Sequence, residues 1–251
     1  MPMLLKVLVL YILPKSHTMS TTTEANKSLL ISFLTLRRTI GYLGIGLPLI
    51  LVAGSAVIAN CGQVQPSISA YYHTVMRDVF VAVISMIAIF LFTYKGYDQY
   101  DKISCKLASI FAMGVAFFPT GIEELEVCVV NYELAASSRL IGQLHLFFAC
   151  CFFLTISYIS IGLFTKTNKK VLSITKQRRN LIYRVSGYLI IACLVAIAIY
   201  WWVILDMFPG SKNLRLVFFL ETIALIAFGV SWLIKGQFIL KDEVETSSIG
   251  N

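Results

Sequence analysis

The stretch LIGQLHLFFACCFFLTISYISIGLFT, residues 140–165, contains no Asp, Glu, Lys or Arg. A helix rises 1.5 Å per residue, so a run of this length crosses a hydrocarbon core of roughly 30 Å with room for tilt. Its one imidazole, His145, is the exception to an otherwise apolar and small-residue pattern. Working outward, Thr39–Asn60, Val79–Tyr94, Leu107–Ile122 and Val185–Leu205 are equally free of charge, and Leu216–Ile234 carries only Glu221. Val79–Tyr94 and Leu107–Ile122 are short and draw in flanking residues to complete a span. The pattern predicts an all-α polytopic membrane protein, a bundle of six transmembrane helices.

The basic residues orient that bundle. Seventeen of the 21 Lys and Arg fall in the N-terminal segment, the second and fourth loops and the tail, and the alternate loops hold Arg77, Arg139, Lys212 and Arg215. Cytoplasmic loops are the Lys- and Arg-rich ones, which places both termini in the cytoplasm. The expected organisation is a cytoplasmic segment over 1–36, a membrane domain over 37–236 and a flexible cytoplasmic tail over 237–251. Within the first part, Met3–Leu13 is too short to span and lacks a basic start, so residues 1–18 read as a leader that need not be native, with Met19 as an alternative start.

Composition excludes other classes. Hydrophobic residues make up 58% of the chain, and the mean hydropathy is +0.80. An ordinary soluble domain has neither property. The formal charge of +8 sits on loops flanking apolar runs, which fits anionic lipid headgroups and argues against nucleic acid. The expected setting is the cell membrane, with lipids as partners, and a homo-oligomer is compatible with the pattern. Of six cysteines, Cys61 and Cys128 fall in non-cytoplasmic loops, where a disulfide is permitted; Cys105, Cys150, Cys151 and Cys193 fall in or near spans as packing residues.

The candidate site lies on the non-cytoplasmic side. Gln65-Pro66-Ser67-Ile68-Ser69-Ala70-Tyr71-Tyr72-His73-Thr74 precedes Arg77 and Asp78. A helix starting at Pro66 and running into the second span would stack Ser69, His73 and Arg77 on one face. His145 is six residues past Arg139 and Glu221 six past Arg215, so both lie about 9 Å below a basic landmark. Ionisable groups at that depth turn to the bundle interior or to water. Gln143, Trp201 and Trp202 lie at or above the same level.

Three readings stay open. His145 and Glu221 could lock helices together. The cluster could bind a lipid headgroup or small amphiphile, with Arg77 on a phosphate or carboxylate and the aromatic rings on the acyl part. Or His73, His145 and Glu221 could hold zinc for an intramembrane hydrolase acting on a lipid amide or ester, with Asp78 or Glu221 as ligand or base. The four carboxylates Glu123, Glu124, Glu126 and Glu133 make the third loop acidic and read as a solvated face.

Gly46-Leu47-Pro48, Pro66-Ser67-Ile68-Ser69, the lone His145 followed by Ala149 and Phe152-Phe153, and Glu221 in the last span together resemble the DRAM/FRAG/Sfk-type six-span membrane proteins and their uncharacterised bacterial relatives. The resemblance covers the chain from about residue 37 and implies lipid handling rather than a catalytic mechanism. Ser69-x-x-x-His73 is similar to an element of the ceramidase and adiponectin-receptor hydrolases. Those are seven-span proteins with a late His-x-x-x-His pair, and here Ala149 stands where the second His would be.

Overall fold

In a computed structural model, residues 17–96, 98–121, 128, 139–167 and 171–240 are described, with the backbone alone at 17–30, 212 and 213. The leader Met3–Leu13, the third-loop carboxylates Glu123, Glu124, Glu126 and Glu133, the fourth-loop Lys169 and Lys170 and the tail from residue 241 lie outside them.

The regular structure of the described residues is all helical. The long helices are α1 (His17–Ile58), α2 (Arg77–Thr93), α3 (Gln99–Phe117), α4 (Arg139–Tyr158), α5 (Ile174–Ile199) and α6 (Leu216–Lys235). One π turn, Ile159–Leu163, prolongs α4. Another, Tyr200–Ile204, prolongs α5 and runs on through Leu205–Met207. Among the described residues, four stretches are long and apolar enough to cross a membrane: Ile31–Ile58, Arg139–Leu163, Ile174–Met207 and Leu216–Lys235. Helix α2 has 17 residues, and α3 carries Asp101, Lys102 and Lys106 in its first half. Large apolar side chains cover the outside, among them Leu49, Val57, Phe92, Ile110, Phe147 and Val195. A soluble monomer does not present such a surface. The chain is a helical membrane protein.

Local chemistry sets the helix ends. Asn60 takes the left-handed conformation (φ 50°) just past α1, and Cys61 N–H turns back to the Ser55 carbonyl at 3.2 Å. Asn tolerates that conformation better than most residues, which makes it an effective stop. The Asp98 carboxylate caps α3 by accepting from Asp101 N–H at 2.8 Å. The Ser173 hydroxyl caps α5 by accepting from Lys176 N–H at 3.2 Å. Each satisfies a donor that the first helical turn would leave without a partner.

Consecutive helices pack side by side, and α6 returns to pack along α1, closing the bundle into a ring. The closing seam is built on glycine. A Cβ on Gly41 would lie 2.8 Å from the Gly229 carbonyl oxygen, and one on Gly229 would lie 2.6 Å from that of Gly41. The two backbones therefore touch, as small residues permit in membrane helices. Between helices, Ser157 donates to the Gly187 carbonyl at 2.8 Å and Ser160 donates to the Ser231 hydroxyl at 3.2 Å. Trp232, fully buried, meets the rings of Tyr94, Phe164 and Phe228 edge-on.

The expected helix from Pro66 into the second span does not form. Ser69–His73 is a 3-10 turn. Thr74 then leaves helical conformation (φ −104°, ψ 179°). Its hydroxyl donates to the Tyr71 carbonyl at 2.9 Å and accepts from Met76 N–H at 3.1 Å. A β-branched hydroxyl residue that bonds its own neighbours competes with helix continuation. Helix α2 restarts at Arg77, so Ser69, His73 and Arg77 do not share one helical face.

Candidate functional site

The segment from Cys61 to Met76 folds into the end of the bundle instead of lying over it. Gln65, Ile68, Tyr71, Tyr72, His73, Thr74 and Met76 are all buried. Two backbone ties fix it to α6. Phe218 N–H donates to the Pro66 carbonyl at 3.0 Å. Ile68 N–H donates to the Glu221 carboxylate at 2.5 Å, and the Ser69 N–H bonds the same group. Glu221 therefore serves as the acceptor for the first N–H groups of the 3-10 turn, a place where a negative charge meets exposed donors. A disulfide between Cys61 and Cys128, with Cα atoms 6.2 Å apart, fastens the entry to this segment.

The two imidazoles meet a different partner. His73 Nε2 bonds the Thr120 carbonyl at 2.8 Å, and His145 Nδ1 bonds the Phe118 carbonyl at 2.6 Å. These carbonyls flank Pro119, where α3 has ended and no N–H is available from the proline. A carbonyl only accepts, so each ring donates from the named nitrogen. The second nitrogen, His73 Nδ1 or His145 Nε2, is left as a lone pair. Both are buried and without a hydrogen-bond partner. His73 is 1% exposed and His145 3%. Burial holds the His73 imidazole below its ordinary 6.5, the Thr120 bond opposes that shift, and the Arg77 charge adds to it. His73 is therefore neutral at pH 7.

Glu221 does not join these rings to make a metal-binding trio. It is engaged by loop backbone, and the described residues contain no group of three His, Cys, Asp or Glu side chains placed to hold a metal ion. His145 and Glu221 make two separate ties, each between a side chain and a backbone segment. The physical reason is that turns and helix ends carry unsatisfied N–H and C=O groups, which compete for any buried polar side chain.

Arg77 and Asp78 open instead on a groove of about 460 Å³ between α2 and α3, lined by Tyr72, Arg77, Asp78, Val81, Ala82, Ala116 and Phe117. The Arg77 guanidinium lies 5.0 Å from the centre of the Tyr72 ring and donates to the Tyr72 hydroxyl at 3.4 Å. Its Nε is buried without a partner. Phe117 is 68% exposed at the rim. Gln143 is exposed on α4. Trp201 and Trp202 are 39% and 79% exposed on the continuation of α5. Those three do not line the groove. The sequence reading missed Val81, Ala82 and Ala116, whose apolar character gave no cue, and the Pro119 carbonyl pair, which the break at proline could have signalled. No family model, curated protein or solved structure matches the chain.

Proposed function

We propose that this chain is a six-span protein of the cell membrane, with both termini cytoplasmic, that binds an anionic amphiphile in the groove beside Arg77. The observation that carries the reading is the Arg77 guanidinium, which has no carboxylate partner among the described residues. It sits at the head of an apolar wall of Val81, Ala82, Ala116 and Phe117. A headgroup phosphate or carboxylate would take charge-assisted bonds from Arg77 while the chain lies along the wall. The resemblance to DRAM/FRAG/Sfk-type proteins is in keeping with a lipid-linked role. The test is oleate binding to detergent-purified protein. Arg77→Gln should weaken it about tenfold, the loss of one charge-assisted contact, and Val81→Trp should block it by filling the groove. Unchanged affinity in both variants would refute the reading.

A second reading is a metal-dependent intramembrane hydrolase. It draws on the two buried lone pairs of His73 and His145, whose opposite nitrogens donate to carbonyls as metal-bound imidazoles commonly do. Hydrolytic zinc sites use three protein ligands, and Glu221 is committed elsewhere, so the described residues do not fit such a centre and no reaction step is assigned to it. Stoichiometric zinc in purified protein, lost in His73→Ala and in His145→Ala, would favour this reading over the first.

A further inference from the structure

The Arg77 groove carries two opposite charges, and they are not spent on each other. Arg77 and Asp78 are the first two residues of α2. Neighbours in a helix point about 100° apart and do not face one another. Both nevertheless line the same groove. The Tyr72 ring, 5.0 Å from the guanidinium, and the Tyr72 hydroxyl hold Arg77 to one side. Asp78 is exposed, and among the described residues it makes no ion pair. The groove therefore offers a cation and a carboxylate side by side.

Its lining changes along the helices. The charges stand at the start of α2, and the apolar Val81 and Ala82 follow one turn further on. Ala116 and Phe117 face them from the last turn of α3. A fatty-acid carboxylate would satisfy Arg77 but bring a like charge up to Asp78, which disfavours it. A phosphate that carries an ammonium on a short link meets both groups. The phosphate oxygens accept from the guanidinium, whose fork suits them. A primary ammonium has three N–H donors for the carboxylate, and a glycerol headgroup has no charge to offer it.

We propose that the amphiphile of this groove is an aminophospholipid, with its phosphate on Arg77, its primary ammonium on Asp78 and an acyl chain along Val81 and Phe117. The inference rests on the reading of the groove as an amphiphile site and adds the headgroup that it selects. Arg77 supplies the contact that every anionic headgroup shares. Asp78 is the specificity residue, because it rewards an ammonium and repels a second anion. The soluble glycerophosphoethanolamine carries the same two charges, but it leaves the apolar wall uncovered.

The experiment titrates full-length protein in detergent with oleoyl lysophosphatidylethanolamine, oleoyl lysophosphatidylglycerol and glycerophosphoethanolamine, and counts bound species by native mass spectrometry. The two lipids share chain and phosphate and differ in the ammonium. The native protein should prefer the ethanolamine lipid about tenfold, the gain from one charge-assisted contact. Asp78→Asn should weaken that lipid about tenfold and tighten the glycerol lipid about twofold, as a like charge at an exposed position is removed. Arg77→Gln should weaken both about tenfold. A carboxylate that served only the start of α2 would change both lipids in the same direction when replaced. Equal affinities in the native protein, or an equal loss of both lipids in Asp78→Asn, would overturn the headgroup assignment. The amphiphile site itself would survive that result if Arg77→Gln still weakened both lipids. If Arg77→Gln changed neither lipid, the site would fall and the assignment with it. Glycerophosphoethanolamine binding as tightly as its lipid would overturn the lipid class.

Discussion

At the end where α1 runs out into Cys61, buried polar side chains are matched to backbone. Glu221 takes the N–H groups of Ile68 and Ser69, and His73 and His145 donate to the carbonyls of Thr120 and Phe118. At the Lys235 end, half-buried cations lie on aromatic rings: Arg37 on Tyr94, Lys176 on Tyr183 and Lys235 on Phe164. The first arrangement joins side chains to backbone donors and acceptors within the chain. The second sets positive charge against the faces of aromatic rings. Polar groups of the first kind fix a loop to a helix, and those of the second kind rest on the rings beneath them.

That contrast can be broken at its strongest point by Glu221→Leu. Two buried N–H groups would lose their acceptor, at about 1–3 kcal/mol each, so the variant should lose about 4 kcal/mol of stability in a denaturation series. Glu221→Gln keeps one acceptor oxygen and should lose about half as much. An unchanged midpoint for Glu221→Leu would mean that the loop is not tied to α6 through this carboxylate. Cys61→Ser tests the covalent tie at the same end. The disulfide closes a loop with a sequence separation of 67, and its removal should cost about 3 kcal/mol. Reducing agent should reproduce the effect in the native protein and do nothing further to the variant.

The smallest effect sharpens the contrast through pH. His73 has a native pKa below its ordinary 6.5, chiefly because it is buried. The unfolded chain therefore takes up the proton first as pH falls. Stability is unaffected by this group above pH 6.5 and declines below it, by at most about 1.4 kcal/mol per pH unit until the native group also titrates. His73→Asn should flatten that part of the melting-temperature profile. A profile with the same slope in both proteins would assign the acid sensitivity to another group.

Much of this architecture was readable in the residues. Each of the six apolar runs overlaps one of the six long helices, because 16 or more residues with at most one charge leave little ambiguity. The 3-10 turn at Ser69–His73 was not readable, since its stop depends on two hydrogen bonds of the Thr74 hydroxyl. Nor was the partner of Glu221. A matching depth with His145 suggested a shared polar site, but depth says nothing about which way a helix faces. Trp201 and Trp202 read from sequence as an outer aromatic belt or part of a pocket lining, and both are exposed, as an interfacial belt would be. The cationic end was hidden for another reason. Arg37, Lys176, Arg179 and Lys235 lie on α1, α5 and α6, and each looks like an ordinary loop-flanking charge until the ring of helices brings them together.

The seam between Gly41 and Gly229 joins the first long helix to the last. A chain leaving the ribosome therefore exposes the glycine face of α1 until α6 has been made. Its closing contact cannot form early, and neither can the Glu221 tie, which the same late helix provides. One arriving helix thus both shuts the ring and fastens the buried loop, and a nascent chain stalled before residue 216 presents an unfinished flank to quality-control proteases.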